Sequence, residues 1–249
     1  MRVLCLSRFA GSRVALALAV GSVVGFGLVA GLQSGWARQE QVEVVSGPAR
    51  VIDGDTIEVA GRRIRLEGID APESAQRCPG RYAGGILGDW RCGRASTAAL
   101  QKLIGRNPVT CQSQETDKYN RLIATCFVGG RDINAEMVRR GHAWAFVKYS
   151  GTYVAHERQA QAMKVGVWAS RKLAQPAWEY RKRRWAKAEQ VAPTGCAIKG
   201  NISRRGQRIY HAPWSPWYHK VRINTAKGER WFCDEGQAIA AGWRPAAGG

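Results

Sequence analysis

Apolar and polar residues change rhythm several times along the chain, and each change predicts an element. Residues Ala49 to Val59 read as a strand interrupted at Asp53-Gly54-Asp55. Arg62 to Ile69 reads as a second strand, with Ile64 and Leu66 two apart and Ile69 less regularly placed; Gly61 turns the chain between them. A loop holding Cys78, Pro79, Gly80, Gly84 and Gly85 follows. Ala98, Leu100, Leu103 and Ile104 then fall at helical spacing, which predicts a helix over Ala95 to Ile104. Val109 to Gln112 and Leu122 to Val128 are strand-like runs around a polar turn and predict a hairpin. Two further helices are expected, from about Asn134 to Arg140, stopped by Gly141, and from about Val154 to Lys164, ending near Gly166.

Strands, helix, strands, helix, helix is an order that suits an α+β domain built on a β-barrel: a five-stranded oligonucleotide-binding (OB) barrel with three appended helices. We place this domain at 48–170. From 171 to 193 the composition becomes basic and Trp-bearing, with Arg181-Lys182-Arg183-Arg184 in its middle. This stretch reads as a helical linker. Its plain reading is a solvated face with Trp178 and Trp185 packed underneath; its sharper reading is an electrostatic footprint for nucleic acid or lipid. A small α+β unit follows at 194–246, with a hairpin-like pair around Arg208 to Tyr210 and Val221 to Ile223 and a short helix near Asp234 to Ala241.

Charge changes the picture next. The chain has 249 residues, 38 Lys and Arg against 19 Asp and Glu, and a formal net charge of +19. Such a surface holds polyanions through phosphate neutralisation and counterion release, and it serves equally for solubility or for anionic lipid. At the N-terminus, Arg2, Arg8 and Arg13 precede an uncharged, mostly apolar run from Val14 to Leu32, the pattern of an export signal with its positive end kept inside. We read 1–37 as a signal peptide, cleaved near Gly35-Trp36-Ala37, or as a signal anchor. Either way the remainder is placed outside the cytoplasm, in the periplasm or medium, or on the outer side of a membrane that anchors it.

Export gives the cysteines a meaning. Beyond Cys5 there are six, and sequence order suggests the pairs Cys78 with Cys92, Cys111 with Cys126 across the hairpin, and Cys196 with Cys233 as the staple of the thin C-terminal core. Six cysteines allow fifteen pairings, so the order alone does not decide; zinc is disfavoured by the lack of any CxxC pair.

Three segments carry candidate chemistry: VIDGDT at 51–56, IRLEGIDAPE at 64–73 and TDKYNR at 116–121. Phosphodiester hydrolysis needs a hard cation on a non-bridging oxygen, a base for the attacking water and fixed positive donors for the growing charge. Asp55 and Asp70, at separate strand ends, could share one Ca²⁺ with a backbone carbonyl and waters. Glu73, beyond Pro72, lies near enough to reach a metal-side water without being a ligand. Arg65 and Arg121 can each fork onto phosphate oxygens. Singly these signals are weak, since Asp-Gly-Asp is commonly a turn and Asp117 and Lys118 suit a hairpin turn.

Jointly, VIDGDT, R-L-x-x-I-D-A-P-E and D-K-Y-x-R, in that order, resemble the staphylococcal nuclease (thermonuclease) family over about Ala49 to Ser170. The resemblance implies an OB barrel with three helices, calcium held by Asp55, Asp70 and the Ala71 carbonyl with Asp53 in support, and Glu73 as general base or water-orienting residue. It implies Arg65 and Arg121 as phosphate clamps, Lys118 and Tyr119 near the substrate phosphate, and cleavage of DNA and RNA to 3′-phosphate ends with little sequence preference. Ala71 stands where the best-known member has threonine, and Asn120 replaces a glycine in the turn, where asparagine also tolerates positive φ. Whether Tyr149 or Tyr153 supplies a base-stacking ring is left open. The C-terminal unit resembles small Ada-type modules but lacks their metal cysteines, so His211 and His219 are expected to pack or face solvent rather than bind zinc; its aromatic, basic residues Trp214, Trp217, Tyr218, Lys220 and Arg222 could stack on single strands.

The expected function is thus an exported calcium-dependent nuclease acting on DNA or RNA, preferably single-stranded or flexible, with no obligate protein partner. The alternative is a non-catalytic nucleic-acid-binding OB module of the cell envelope. A barrel that only binds has no need of the full carboxylate and arginine set, and here none is missing.

Overall fold

A run of short, half-buried strands separated by glycine turns is what builds the front of the molecule. In the computed structural model, residues 42–81 and 87–246 are described, and all of them fall in one compact unit. The candidate signal segment 1–37 lies outside the described residues, and among the described ones no helix is long and apolar enough to cross a membrane.

Strands β1 (Glu43–Gly47) and β2 (Ala49–Val51) are two halves of one strand, interrupted at Pro48, which has no N–H to give a ladder. Next come β3 (Thr56–Val59), β4 (Arg62–Leu66) and the short β5 (Ile69–Asp70). A hairpin of β6 (Cys78–Arg81) and β7 (Leu87–Trp90) precedes helix α1 (Cys92–Ile104). Strands β8 (Val109–Thr116), β9 (Leu122–Val128) and β10 (Arg131–Asp132) follow, then α2 (Ile133–Arg139), β11 (Trp144–Ala145) and α3 (Val154–Met163). The sheet order β1-β8-β9-β4-β3-β2 begins and ends on the two halves of the Pro48 strand, so the sheet nearly closes on itself. Its one parallel pairing, β4 with β9, brings the motif around Arg65 beside the strand that leaves Arg121. This is the expected α+β barrel with three helices. It starts earlier than residue 48, because Glu43–Gly47 pairs along β8.

The barrel interior is aliphatic, with Ile57, Ile64, Leu66, Leu122 and Ala124 from the strands against Leu100, Ile104, Ile133 and Met137 from the helices. Asn134 adds a polar group to it. The β4–β9 ladder ends at Leu66 and Ala124, and Asn134, fully buried, continues it with its side chain. Its Oδ1 accepts from Cys126 N at 3.2 Å, and its Nδ2 donates to the carbonyls of Glu67 and Ala124 at 3.0 and 3.1 Å. Asn134→Leu keeps the branching and heavy-atom count of the side chain but takes away the partner of the Cys126 N–H and of the Glu67 carbonyl, so a loss of about 3 kcal/mol in unfolding free energy is expected in a urea titration. A loss below about 1 kcal/mol would show that solvent replaces the amide there.

Three disulfides join Cys78 to Cys92, Cys111 to Cys126 and Cys196 to Cys233. The first ties the β6–β7 hairpin, a segment whose Pro79 and glycines read as plain loop in sequence, to the start of α1. The second spans directly opposed residues of β8 and β9.

Helix α4 (Ala177–Glu189) occupies the basic stretch. Beyond it, β12 (Ile198–Ile202), β13 (Arg208–His211), β14 (Arg230–Phe232), α5 (Glu235–Ala240) and β15 (Arg244–Pro245) form a second sheet in the order β14-β12-β13-β15. The expected pairing of Arg208 to Tyr210 with Val221 to Ile223 is incorrect: Arg208–His211 pairs with Ile198–Ile202. Lys-Gly-Asn inside β12 masked its alternation, whereas Val221 follows a 3₁₀ turn and its carbonyl accepts from Lys199 Nζ at 2.8 Å rather than from a ladder.

His211 lies in this second unit, 6% exposed, with Nε2 2.9 Å from Asn201 Oδ1. Burial, helped by the Lys199 charge, pushes its imidazole down to about 4. The unfolded chain therefore takes up a proton near the ordinary value of about 6.5 that the folded chain refuses. Stability from this residue is complete above that value and is lost as pH falls from about 6.5 to about 4. After discounting for solvent screening, His211→Gln should spare about 1–2 kcal/mol of the stability lost by the parent between about pH 7 and about pH 4.5 in urea titrations. Identical acid losses in the two proteins would refute this.

Candidate active site

Two sharp backbone turns put the candidate acidic residues beside each other. In the Asp53-Gly54-Asp55 loop, Asp53 Oδ1 accepts the Asp55 N–H at 3.0 Å, fixing the turn between β2 and β3. Gly54 is needed there for close approach, since a Cβ would run into Ser96 of α1 and lie 2.7 Å from the Ala71 Cβ. Asp55 Oδ2 then accepts the Ala71 N–H at 2.6 Å, tying this loop to the one after β5. Gly93 does the same on the other side: a Cβ would strike the Glu73 carbonyl, so the start of α1 seats the Glu73 loop.

Asp55 and Asp70 are both buried, Asp70 completely. Arg65 reaches them together: it pairs with Asp55 Oδ1, and its Nη2 donates to Asp70 Oδ1 at 2.7 Å and to the Ile69 carbonyl at 3.2 Å. Burial works against the Arg65 charge and lowers its pKa, with Asp70 opposing that shift. A second guanidinium is present that sequence reasoning did not assign. Arg181, from α4, donates through Nη1 and Nη2 to the two oxygens of Asp70 at 3.0 and 2.9 Å and through Nη1 to Glu73 Oε1 at 2.6 Å. Burial pushes the Glu73 carboxyl up to about 7 against the pull of Arg181. Burial likewise raises Asp53, against Arg65.

Arg121 stands apart from this cluster. Its Nε and Nη2 hold Asp117 Oδ2 at 2.8 Å, while Asp117 Oδ1 accepts the N–H groups of Tyr119 and Arg121 at 2.9 Å. The turn runs through Asn120 at φ 58°, the positive φ anticipated for it. Arg121 and Lys118 lie over the Tyr119 ring, 5.3 and 5.0 Å from its centroid. Both groups nevertheless open on one cleft of about 1000 Å³, lined by Asp53, Asp55, Arg65, Ala71, Glu73, Lys118, Tyr119 and Arg121 and also by Tyr149, Trp185, Tyr210, Trp214 and Glu235. Tyr149 is 71% exposed on its rim, whereas Tyr153 is core, its hydroxyl donating to Asp132 at 3.1 Å.

Among the described residues no group of three or more His, Cys, Asp or Glu side chains forms a metal cage. The donor set is smaller and entirely oxygen: two carboxylates that already share one cation, Arg65, plus main-chain carbonyl. Hard oxygen donors around a buried negative charge fit a hard divalent ion completed by waters, and they offer nothing to a soft one. A network of buried carboxylates and arginines facing a cleft on a basic protein is suited to phosphate chemistry.

Sequences of known proteins place the chain in a family. Residues 63–170 match the family model described as staphylococcal nuclease homologue. The chain is 36% identical over 129 residues to the succinoglycan biosynthesis protein ExoI of Rhizobium meliloti, covering 51% of this chain and 65% of that one. It is 34% identical over 141 residues to an uncharacterized endonuclease of Escherichia coli, covering 53% of this chain and 83% of that protein. A probable staphylococcal-like nuclease of Oryza sativa subsp. japonica is 34% identical over 123 residues, 49% of this chain and 22% of its own length. The three motifs, the barrel that carries them and the coverage of the bacterial endonuclease converge on one conclusion: the chain belongs to the staphylococcal nuclease family.

Proposed function

We propose that this protein is an exported, calcium-dependent nuclease that hydrolyses phosphodiester bonds of single-stranded or flexible DNA and RNA with little sequence preference, leaving 3′-phosphate ends. The observation that carries the reading is the gathering of Asp55, Asp70, Glu73 and Arg65 in one hydrogen-bonded network on a cleft that Arg121 and Lys118 share. Asp55, Asp70 and the Ala71 carbonyl would hold Ca²⁺, which when bound supplies a Lewis acid for a phosphate oxygen. Asp53 keeps the Asp55 loop in shape through its bond to the Asp55 N–H. Glu73, whose carboxyl is raised to about 7, is poised to take a proton from water near neutrality. Arg65 and Arg121 meet the charge that grows on the phosphate, and Lys118 and Tyr119 border the same opening. Export, from the N-terminal segment, suits the three disulfides.

The test is a single-stranded oligonucleotide incubated with the protein and Ca²⁺, then with excess chelator, and the product ends mapped by their sensitivity to phosphatase. Cleavage that stops on chelation and leaves 3′-phosphates is the expected result. Tight binding with no cleavage would favour the non-catalytic alternative, and 5′-phosphate products would overturn the proposed chemistry.

A further inference from the structure

Helix α4 presents Trp178, Arg181 and Trp185 at spacings of three and four residues, which places them on one face. Trp178 stacks on Phe146 with centroids 5.3 Å apart and meets Trp144 edge-on at 6.3 Å. Trp185 packs into the core of the second sheet, with its ring 5.9 Å from Trp214. Gln76, three residues beyond Glu73, donates to the Gln175 carbonyl at 2.7 Å and fixes the approach to the helix. Arg181 is therefore clamped between two anchored indoles, one on the barrel and one on the C-terminal unit.

Between those anchors it does two things at once. Its fork covers both oxygens of Asp70, and the same Nη1 holds Glu73 Oε1. Asp70 Oδ1 also serves Arg65, so a divalent ion can reach this carboxylate only by displacing a guanidinium bond. That bond occupies Glu73 Oε1, one of the two oxygens that could meet a water. On the far side of the cleft, Glu235 of the C-terminal unit lies in the field of Arg121 and Arg63, the charge a phosphate would otherwise meet.

We propose that Arg181 is a tethered cation standing in the divalent ion's place on Asp70, so that helix α4 and the metal compete and the C-terminal unit holds the nuclease latent. The inference rests on the metal-dependent reading above. When the ion binds, Arg181 leaves Asp70 and frees Glu73; the release of α4 from the cleft opens the path for a strand.

Calorimetric titration of the full chain with Ca²⁺ tests this without any substrate. Arg181→Ala is expected to bind Ca²⁺ about ten-fold or more tighter than the parent, and Arg181→Lys to fall between, because an ammonium keeps the charge but cannot fork across Asp70 and Glu73. In chelator, Arg181→Ala should melt lower than the parent, since Asp70 loses a buried partner, and Ca²⁺ should raise its melting temperature by more. Should Arg181→Ala fold only when Ca²⁺ is added, that dependence supports the competition, and Arg181→Lys carries the affinity comparison. Equal affinities in all three proteins, or weaker binding in Arg181→Ala, would overturn the inference while leaving the nuclease reading standing. Absence of Ca²⁺ binding in every folded variant would remove the calcium premise itself, and the inference with it.

Discussion

Glu73→Ala is expected to lower turnover by about 10²–10⁴-fold without weakening Ca²⁺ binding. The size follows from the loss of a positioned proton acceptor; Ca²⁺ binding is kept because Glu73 lies beyond Pro72, one step removed from Asp55 and Asp70, and losing its hold on Arg181 only eases the ion's access. The fold should survive, because Arg181 keeps both oxygens of Asp70 when Glu73 is gone. Steady-state kinetics paired with calorimetry read both quantities. A large loss of Ca²⁺ affinity would make Glu73 a ligand, and near-parental turnover would remove it from the chemistry.

Arg121→Ala is expected to cost about 10³-fold or more in turnover, the scale of an arginine that stabilises charge only in the transition state. Its side chain pairs with Asp117 and lies over the Tyr119 ring, and the other Asp117 oxygen still accepts two main-chain N–H groups of this turn, so the hairpin should hold its shape. Arg121→Lys should recover little, since a lysine cannot fork onto phosphate. Turnover within about ten-fold of the parent, at an unchanged melting temperature, would show that the clamp lies elsewhere on the cleft.

The barrel and the gathering of these side chains were readable in the sequence for a local reason. Asp53, Asp55, Arg65, Asp70 and Glu73 all fall within two strand-loop segments, so strand periodicity and turn residues place them near one another. Leu100 and Ile104 likewise announced their helix through spacing, and both are core. Glu43–Gly47 escaped notice because Pro48 breaks it from the rest of its strand, and the strand only shows itself through its pairing with β8. Arg181 was visible merely as one charge in a basic run. Its partner lies 111 residues earlier, and only the docking of Trp178 and Trp185 aims it at Asp70. The spacing of 178, 181 and 185 was a usable signal, since a lone arginine on the indole face of a basic helix has to find a buried anion or break the packing. The second sheet was misread because β12 hides its pattern behind Lys199, Gly200 and Asn201.

Asp55 and Asp70 are proposed to share one calcium ion on the cleft that Glu73 and Arg121 face. An anomalous difference map from crystals grown with Ca²⁺ tests it directly. A single strong peak within coordination distance of both carboxylates, with Arg181 withdrawn from Asp70, is the predicted result. Calcium bound elsewhere, or density showing Arg65 and Arg181 still closed on these carboxylates at saturating calcium, would contradict it.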